Sequence, residues 1–294
     1  MSDKTQPSSL ELYTLAAERS SNAVIASYST SFGVATKLLA PQIRQNVRNI
    51  YALVRVADEI VDGAAAEARV GGGNVEPSVA LDVLEAEIYK TLRSHFSTNL
   101  VVHAFAKTAN ETGFARGIIE PFFASMRMDL WPRKHTPESF QKYVYGSAEV
   151  VGLMCLHAFI KESDFSMQDY AKIVKSARAL GAAFQKVNFL RDLSADFENL
   201  GRSYFPDVNP ASFNESQKAE LLADIRADLS TSSQALKFLP TSSPQGGIGS
   251  SDAVHRTSQP HREDPGRADA ARKNLCSQHN QIVHRSKSPN WSGP

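Results

Sequence analysis

The chain has 294 residues, a formal net charge of +1, and two cysteines, Cys155 and Cys276, far apart and outside any CxxC pair. The balanced charge gives no field that selects nucleic acid as a partner, and the isolated cysteines argue against a disulfide scaffold or a cysteine zinc site. The N-terminus lacks an apolar h-region and no run of 18 apolar residues occurs, so a cytoplasmic protein is expected, with peripheral membrane contact left open.

Hydrophobic periodicity predicts an all-α chain, with helices over 10–27, 30–39, 42–62, 78–95, 99–112, 115–127, 136–145, 147–161, 166–199 and 215–238. Pro41 stands where a first-turn proline opens the third helix, and Thr136-Pro137 marks a later start. The stretch Gly63–Pro77, with Gly71-Gly72-Gly73, reads as a flexible loop. After Leu239 the text turns polar and aperiodic, with Trp291 as its one aromatic. Such a segment buries too little apolar surface to offset its ordering entropy. The chain therefore divides into a helical domain, 1–239, and a disordered tail, 240–294. Half of the eight histidines fall in that tail at irregular spacing, which favours a polar tail over a metal site.

Chemistry concentrates on two helices. In NVRNIYALVRVADEIVD (46–62) apolar residues surround the axis, the pattern of a buried element. Asp58 and Asp62, at i and i+4, share a face there, with Arg55 close to the same stripe. Ionised carboxylates in such a setting are costly unless paired or bound to a cation. An internal pair with Arg55 is the competing structural explanation. In LGAAFQKVNFLRDLSAD (180–196), Asn188, Asp192 and Asp196 recur every four residues, drifting about 80° around the axis. Gln185 lies one turn earlier and Arg191 stands beside the row.

A solvated acidic face is the bland reading, but Phe184, Val187, Phe189, Leu190 and Leu193 interleave the row. Two oxygen ladders on separate apolar helices suit Mg²⁺, which takes a few carboxylates and completes its shell with water and phosphate oxygens. Neighbouring arginines suit the phosphates themselves. A ferritin-like di-metal site needs Glu-x-x-His pairs, and none is present. The sequence thus points to Mg²⁺ and a diphosphate.

Those residues resemble the squalene/phytoene synthase family. The second row, with Leu180-Gly181, Gln185, Asn188, Arg191-Asp192, Asp196 and Arg202-Ser203-Tyr204-Phe205-Pro206, looks like the family's second aspartate-rich signature. Tyr51, Arg55, Asp58 and Asp62 resemble its first, with Glu59 where many members carry Asp. Ser29, Ser31 and Phe32, in YSTSF (28–32), resemble a stretch bordering a diphosphate, with N-capping as the plainer role of the serines and core packing as that of Phe32. Tyr143 and Tyr145 resemble the tyrosine-bearing helix that lines the lipid cavity.

The resemblance implies the all-α isoprenoid synthase fold and head-to-head condensation of prenyl diphosphates. It implies Asp58, Asp62, Asn188, Asp192 and Asp196 as metal ligands for Mg²⁺, with Mn²⁺ as a substitute. Tyr51, Arg55, Tyr143 and Arg191 become catalytic candidates, alongside Asp58 and Asp62. Ser29, Ser31, Phe32, Arg55, Gln185, Asn188, Arg191, Arg202 and Tyr204 become substrate-binding candidates. Stretches such as PFFASMRMDLW (121–131) favour a bacterial phytoene synthase acting on two geranylgeranyl diphosphates in carotenoid biosynthesis, without NADPH. A farnesyl-specific squalene or dehydrosqualene synthase is the alternative. The sequence after Leu239 matches none of the family's closing helices, which raises a further alternative, an inactive prenyl-diphosphate binder. A monomer or weak homodimer is expected.

Overall fold

The computed structural model describes residues 6–29, 36–37, 39–131, 134–161, 163–200 and 204–235, without the side chains of 66 and 194–200. Helix α1 (Ser9–Tyr28) opens with a reciprocal capping box, in which the Ser8 hydroxyl accepts from Glu11 N–H and Glu11 accepts from Ser8 N–H. Pro41 and Pro77 occupy the first turns of α2 (Pro41–Asp62) and α4 (Pro77–Ser94), where a missing N–H costs nothing. Asn99 caps α5 (Leu100–Thr112), which stops at Gly113 in the left-handed region, φ 79°. There follow α6 (Arg116–Asp129), α7 (Pro137–Val144), α8 (Val150–Ile160), α9 (Met167–Leu200) and α10 (Glu215–Ser233).

The architecture is all-α, with no strand among the described residues. Two expectations change. The stretch after Gly63 is not all loop, because Ala64–Val70 forms a short helix, α3. AAAEARV is a run of strong helix formers, and their propensity outweighs the glycines that end it. The segments expected as separate helices near 136–145 and 147–161 are continuous, joined through a π-helical turn over Tyr145–Glu149. The helix expected over 30–39 lies outside the described residues except for Thr36, Lys37 and Leu39, and so does the tail after 235.

A main core gathers Ile50 and Leu53 of α2, Leu81 and Ile88 of α4, Phe105 of α5, Phe122 and Phe123 of α6, and Met154 of α8. Helix α8 packs on both α2 and α9, the helices that carry the two acidic rows. Together with the π-helical turn before it, it crosses α9 so closely that a Cβ at Gly181 would run into the carbonyl oxygen of Ala148, and one at Gly152 would lie 2.5 Å from that of Ala177. The continuous helix Pro137–Ile160 is long and apolar enough to cross a bilayer by length and composition. Its stretch from Tyr143 to Ile160 is nevertheless buried or half-buried against other helices.

A second core joins Tyr143 and Val144 to Phe189 and Leu193 of α9, and to Tyr204 and Phe205. Helix α10 is fastened to α9 by Lys186, whose ammonium lies 2.6 Å from Asp224 and 2.8 Å from Asp228.

Candidate active site

The first acidic helix places Asp58 half-buried and Asp62 exposed on one face of α2. Burial pushes the Asp58 carboxyl up to about 7, and the charge of Asp62 adds to the rise. Arg55 opposes it, while Asp129 and Glu59 raise it further. Several carboxylates from α2 and α6 therefore act on one another in a partly desolvated place. That arrangement is unfavourable for the protein alone, and a cation beside them would relieve it.

Arg55 is not paired with Asp58, the competing explanation above. Its guanidinium donates to Glu59, and its face lies over the Tyr28 ring, 4.4 Å from the centroid. Its Nε is buried and has no hydrogen-bond partner. Glu59 also accepts from the backbone N–H of Ala64 at 3.0 Å, so it satisfies a donor at the start of α3 while holding the arginine. The departure from Asp at this position has a local reason: the longer side chain reaches both groups. Tyr51 is half-buried on the same helix.

On α9, Asn188 is exposed and Asp192 and Gln185 are half-buried, so the second row faces an open side. Arg191 grips Asp192 with two bonds, Nε at 2.8 Å and Nη2 at 2.6 Å. The candidate phosphate ligand and the candidate metal ligand are thus paired with each other. Asp196 lies on α9, but its side chain is outside the described residues, as are Ser31, Phe32 and Arg202. Ser29 is the C-cap of α1 and donates its N–H to Ile25 O at 2.9 Å, rather than opening a helix.

Tyr143 and Tyr204 do not stand on an open wall. Tyr143 is 2 % exposed and Tyr204 7 %. Tyr204 stacks on Phe189 with centroids 4.1 Å apart, and on Tyr143 at 5.4 Å. The Tyr143 hydroxyl donates to Asp129 Oδ2 at 2.6 Å, and burial together with that carboxylate lifts the phenol well above its ordinary value. Tyr145 is half-buried, with the Arg178 guanidinium 5.1 Å from its ring centroid.

Asp129 is the site residue missed in the sequence. It lies inside PFFASMRMDLW, and the signal was a single acid among apolar residues, the same reasoning that selected Asp58. Tyr143 joins Asp129 of α6 by a hydrogen bond and Phe189 of α9 by ring contact, directly and through Tyr204.

The donor set fits a divalent cation. Asp58 and Asp62 on α2, with Asp192 and Asn188 on α9, carry oxygen atoms of the kind a hard cation takes. Among the described residues no three acidic, histidine or cysteine groups converge to enclose an ion. Each row is therefore an open wall that water and a phosphate-bearing substrate would have to complete.

Comparison with known proteins decides the lineage. Residues 25–238 match the family described as Squalene/phytoene synthase. The chain belongs to that family. Among relatives, 15-cis-phytoene synthase of Paracoccus sp. is 30 % identical over 179 residues, covering 60 % of this chain and 56 % of its own. Phytoene synthase 2 of Solanum lycopersicum is 30 % identical over 210 residues, 69 % of this chain and 63 % of its own. The 4,4'-diapophytoene synthase of Staphylococcus haemolyticus is 27 % identical over 211 residues, 70 % of this chain and 67 % of its own. The chain spans about half the length of the first of these relatives.

Among solved structures, a dehydrosqualene synthase superposes with a TM-score of 0.64 at 20 % identity, covering 80 % of this chain and 82 % of that one. Squalene synthase HpnC of Alicyclobacillus acidocaldarius gives 0.65 at 18 %, covering 81 % and 88 %. The fold is that of the isoprenoid synthases.

Proposed function

We propose that this member of the family is a Mg²⁺-dependent phytoene synthase, with Mn²⁺ able to substitute, joining two geranylgeranyl diphosphates head to head. The reading is supported by the family match over residues 25–238 together with Asp58 and Asp62 on one face of α2, one turn after Arg55. A bound divalent cation would stabilise the charge that develops on a departing diphosphate.

The chain's own residues would do the rest. Arg55 has an unused buried Nε beside the first acidic wall, and Arg191 reaches a phosphate by releasing Asp192. Loss of diphosphate from the first substrate leaves an allylic cation. The 2,3 double bond of the second attacks it, and proton loss closes a cyclopropylcarbinyl diphosphate. A second ionisation, rearrangement and proton loss give the linear product, with no reductant needed. Both cations need protection from water, which an apolar lining around the substrate chains would supply. The products are water-insoluble, which suits a cytoplasmic enzyme in peripheral contact with a membrane.

The farnesyl-specific alternative is favoured by the diapophytoene synthase relative and the dehydrosqualene synthase neighbour. Incubation with geranylgeranyl or farnesyl diphosphate and Mg²⁺, followed by lipid extraction, separates the readings. Phytoene is the expected product. Dehydrosqualene from farnesyl diphosphate alone moves the assignment to the shorter chain. Binding without turnover leaves a non-catalytic prenyl-diphosphate binder and defeats the synthase reading.

A further inference from the structure

The corner between α2 and α3 is built around one carboxylate. Glu59 Oε1 accepts from Arg55 Nη2, one turn earlier on α2, and Glu59 Oε2 accepts from the Ala64 N–H at the start of α3, at 3.0 Å. Each oxygen therefore has its own partner. Gly63 leaves room for this crossing, because a Cβ there would run into Glu59 Oε2. The Glu59 side chain is only 18 % exposed, so both bonds are largely withdrawn from competing water.

Arg55 is held on a second side as well. The Tyr28 ring, in the last residue of α1, lies against the guanidinium face, 4.4 Å from its central carbon. A ring on the face and a carboxylate at one terminal nitrogen select one arrangement of a long, rotatable side chain. Ordering such a side chain before a ligand arrives removes that cost from binding. The guanidinium fixed in this way still carries a buried Nε–H without a partner. Asp58 follows three residues later on the same face of α2. Glu59 lies about 100° further round the axis, with both oxygens already engaged.

We propose that Glu59 is a positioning residue: it holds the Arg55 guanidinium where the diphosphate meets the first acidic row, and it acts through Arg55, not as a third metal ligand. The proposal rests on the functional reading above, which sets a diphosphate beside that row. Two rival parts for the same carboxylate make different predictions. A competitor would neutralise Arg55 and be displaced by the anion. A plain corner tie would serve only the Ala64 N–H.

The test is isothermal titration calorimetry of the full chain with inorganic pyrophosphate and Mg²⁺, with the melting temperature of each variant read alongside. Glu59→Gln keeps one oxygen for Ala64 but loses the charge that Arg55 binds. It should weaken pyrophosphate binding by roughly tenfold, the scale of one charge-assisted hydrogen bond. Glu59→Asp keeps a charge at i, i+4 from Arg55 and gives up the reach to Ala64, so its affinity should stay within about threefold of wild type. In an Arg55→Ala background, Glu59→Gln should change affinity by less than about twofold, because its effect passes through the arginine.

Tighter binding by Glu59→Gln overturns the proposal in favour of the competitor. Wild-type affinity in Glu59→Gln with a loss in Glu59→Asp overturns it in favour of the corner tie. An undiminished effect of Glu59→Gln without the arginine overturns it too, and all three results leave the proposed function standing. A wild-type protein that binds no pyrophosphate with Mg²⁺ overturns the proposed function, and this proposal with it.

Discussion

Replacing Asp58 with asparagine should make the metal-free protein more stable. The carboxyl is pushed from 3.8 up to about 7 in the folded chain. Below pH 3.8 it is protonated in both the folded and unfolded states and costs nothing. Between 3.8 and 7 the unfolded carboxyl ionises while the folded one keeps its proton, and the cost to folding grows. Above 7 both are ionised and the cost is constant. A rise of about three pH units at ~1.4 kcal/mol each gives an upper bound of about 4 kcal/mol.

Solvent reaching a half-buried carboxylate reduces that figure to roughly 2–4 kcal/mol. The Asp58→Asn melting temperature should then exceed wild type by on the order of 5–10 °C at pH 8, with little difference near pH 4. The measurement is thermal unfolding followed by circular dichroism across pH 4–8 in EDTA. Adding Mg²⁺ with a diphosphate analogue should close the gap by stabilising wild type alone. A gap that does not change with pH, or a wild type that is the more stable protein at pH 8, would refute the electrostatic account.

Other outcomes follow from the same structure. Asp192→Asn should lower turnover of prenyl diphosphates by 100-fold or more, an order-of-magnitude expectation for a lost metal ligand, with an unchanged circular dichroism spectrum; near-normal rates remove its metal role. Lys186→Met should cost about 3 kcal/mol in urea unfolding, because Asp228 keeps its charge in a half-buried place without its partner; release of α10 to limited proteolysis should accompany it. Gly181→Val should cost at least about 2 kcal/mol, since its side chain must displace the backbone at Ala148; wild-type stability in that variant would contradict the tight α8–α9 crossing.

The helices were legible because their apolar spacing is strict. Asn46–Asp62 showed both its burial and its two carboxylates in one line of text, and α2 runs Pro41–Asp62. Where local and longer-range signals competed, the reading failed. The three glycines after Val70 concealed the seven-residue helix before them. The π turn was invisible because it leaves hydrophobicity unbroken and changes only the backbone register. Arg55 and Asp58 share a face at i and i+3, yet the arginine turns to Glu59, whose second oxygen is already fixed by the Ala64 N–H.

At the site, spacing along one helix could select Asp58, Asp62, Asn188 and Asp192 as candidates. It could not select Asp129, whose partner Tyr143 comes from another helix. Tyr143 was selected by resemblance, and whether a buried aromatic lines a cavity or fills a core depends on what stacks against it.

The π turn at Tyr145–Glu149 acts as an adjustable joint in the primary sequence. One residue removed from it would restore an ordinary α-helix and rotate Pro137–Val144 by about 100° relative to α8. Helix α8 would keep its place in the main core, while Tyr143 would swing away from Asp129. Tyr143 and Val144 belong to the second core, and the turn itself is buried against α6 and α9, so a single-residue insertion or deletion there would shift that core together with the site. The register of this one turn ties the placement of Tyr143 to the packing around it.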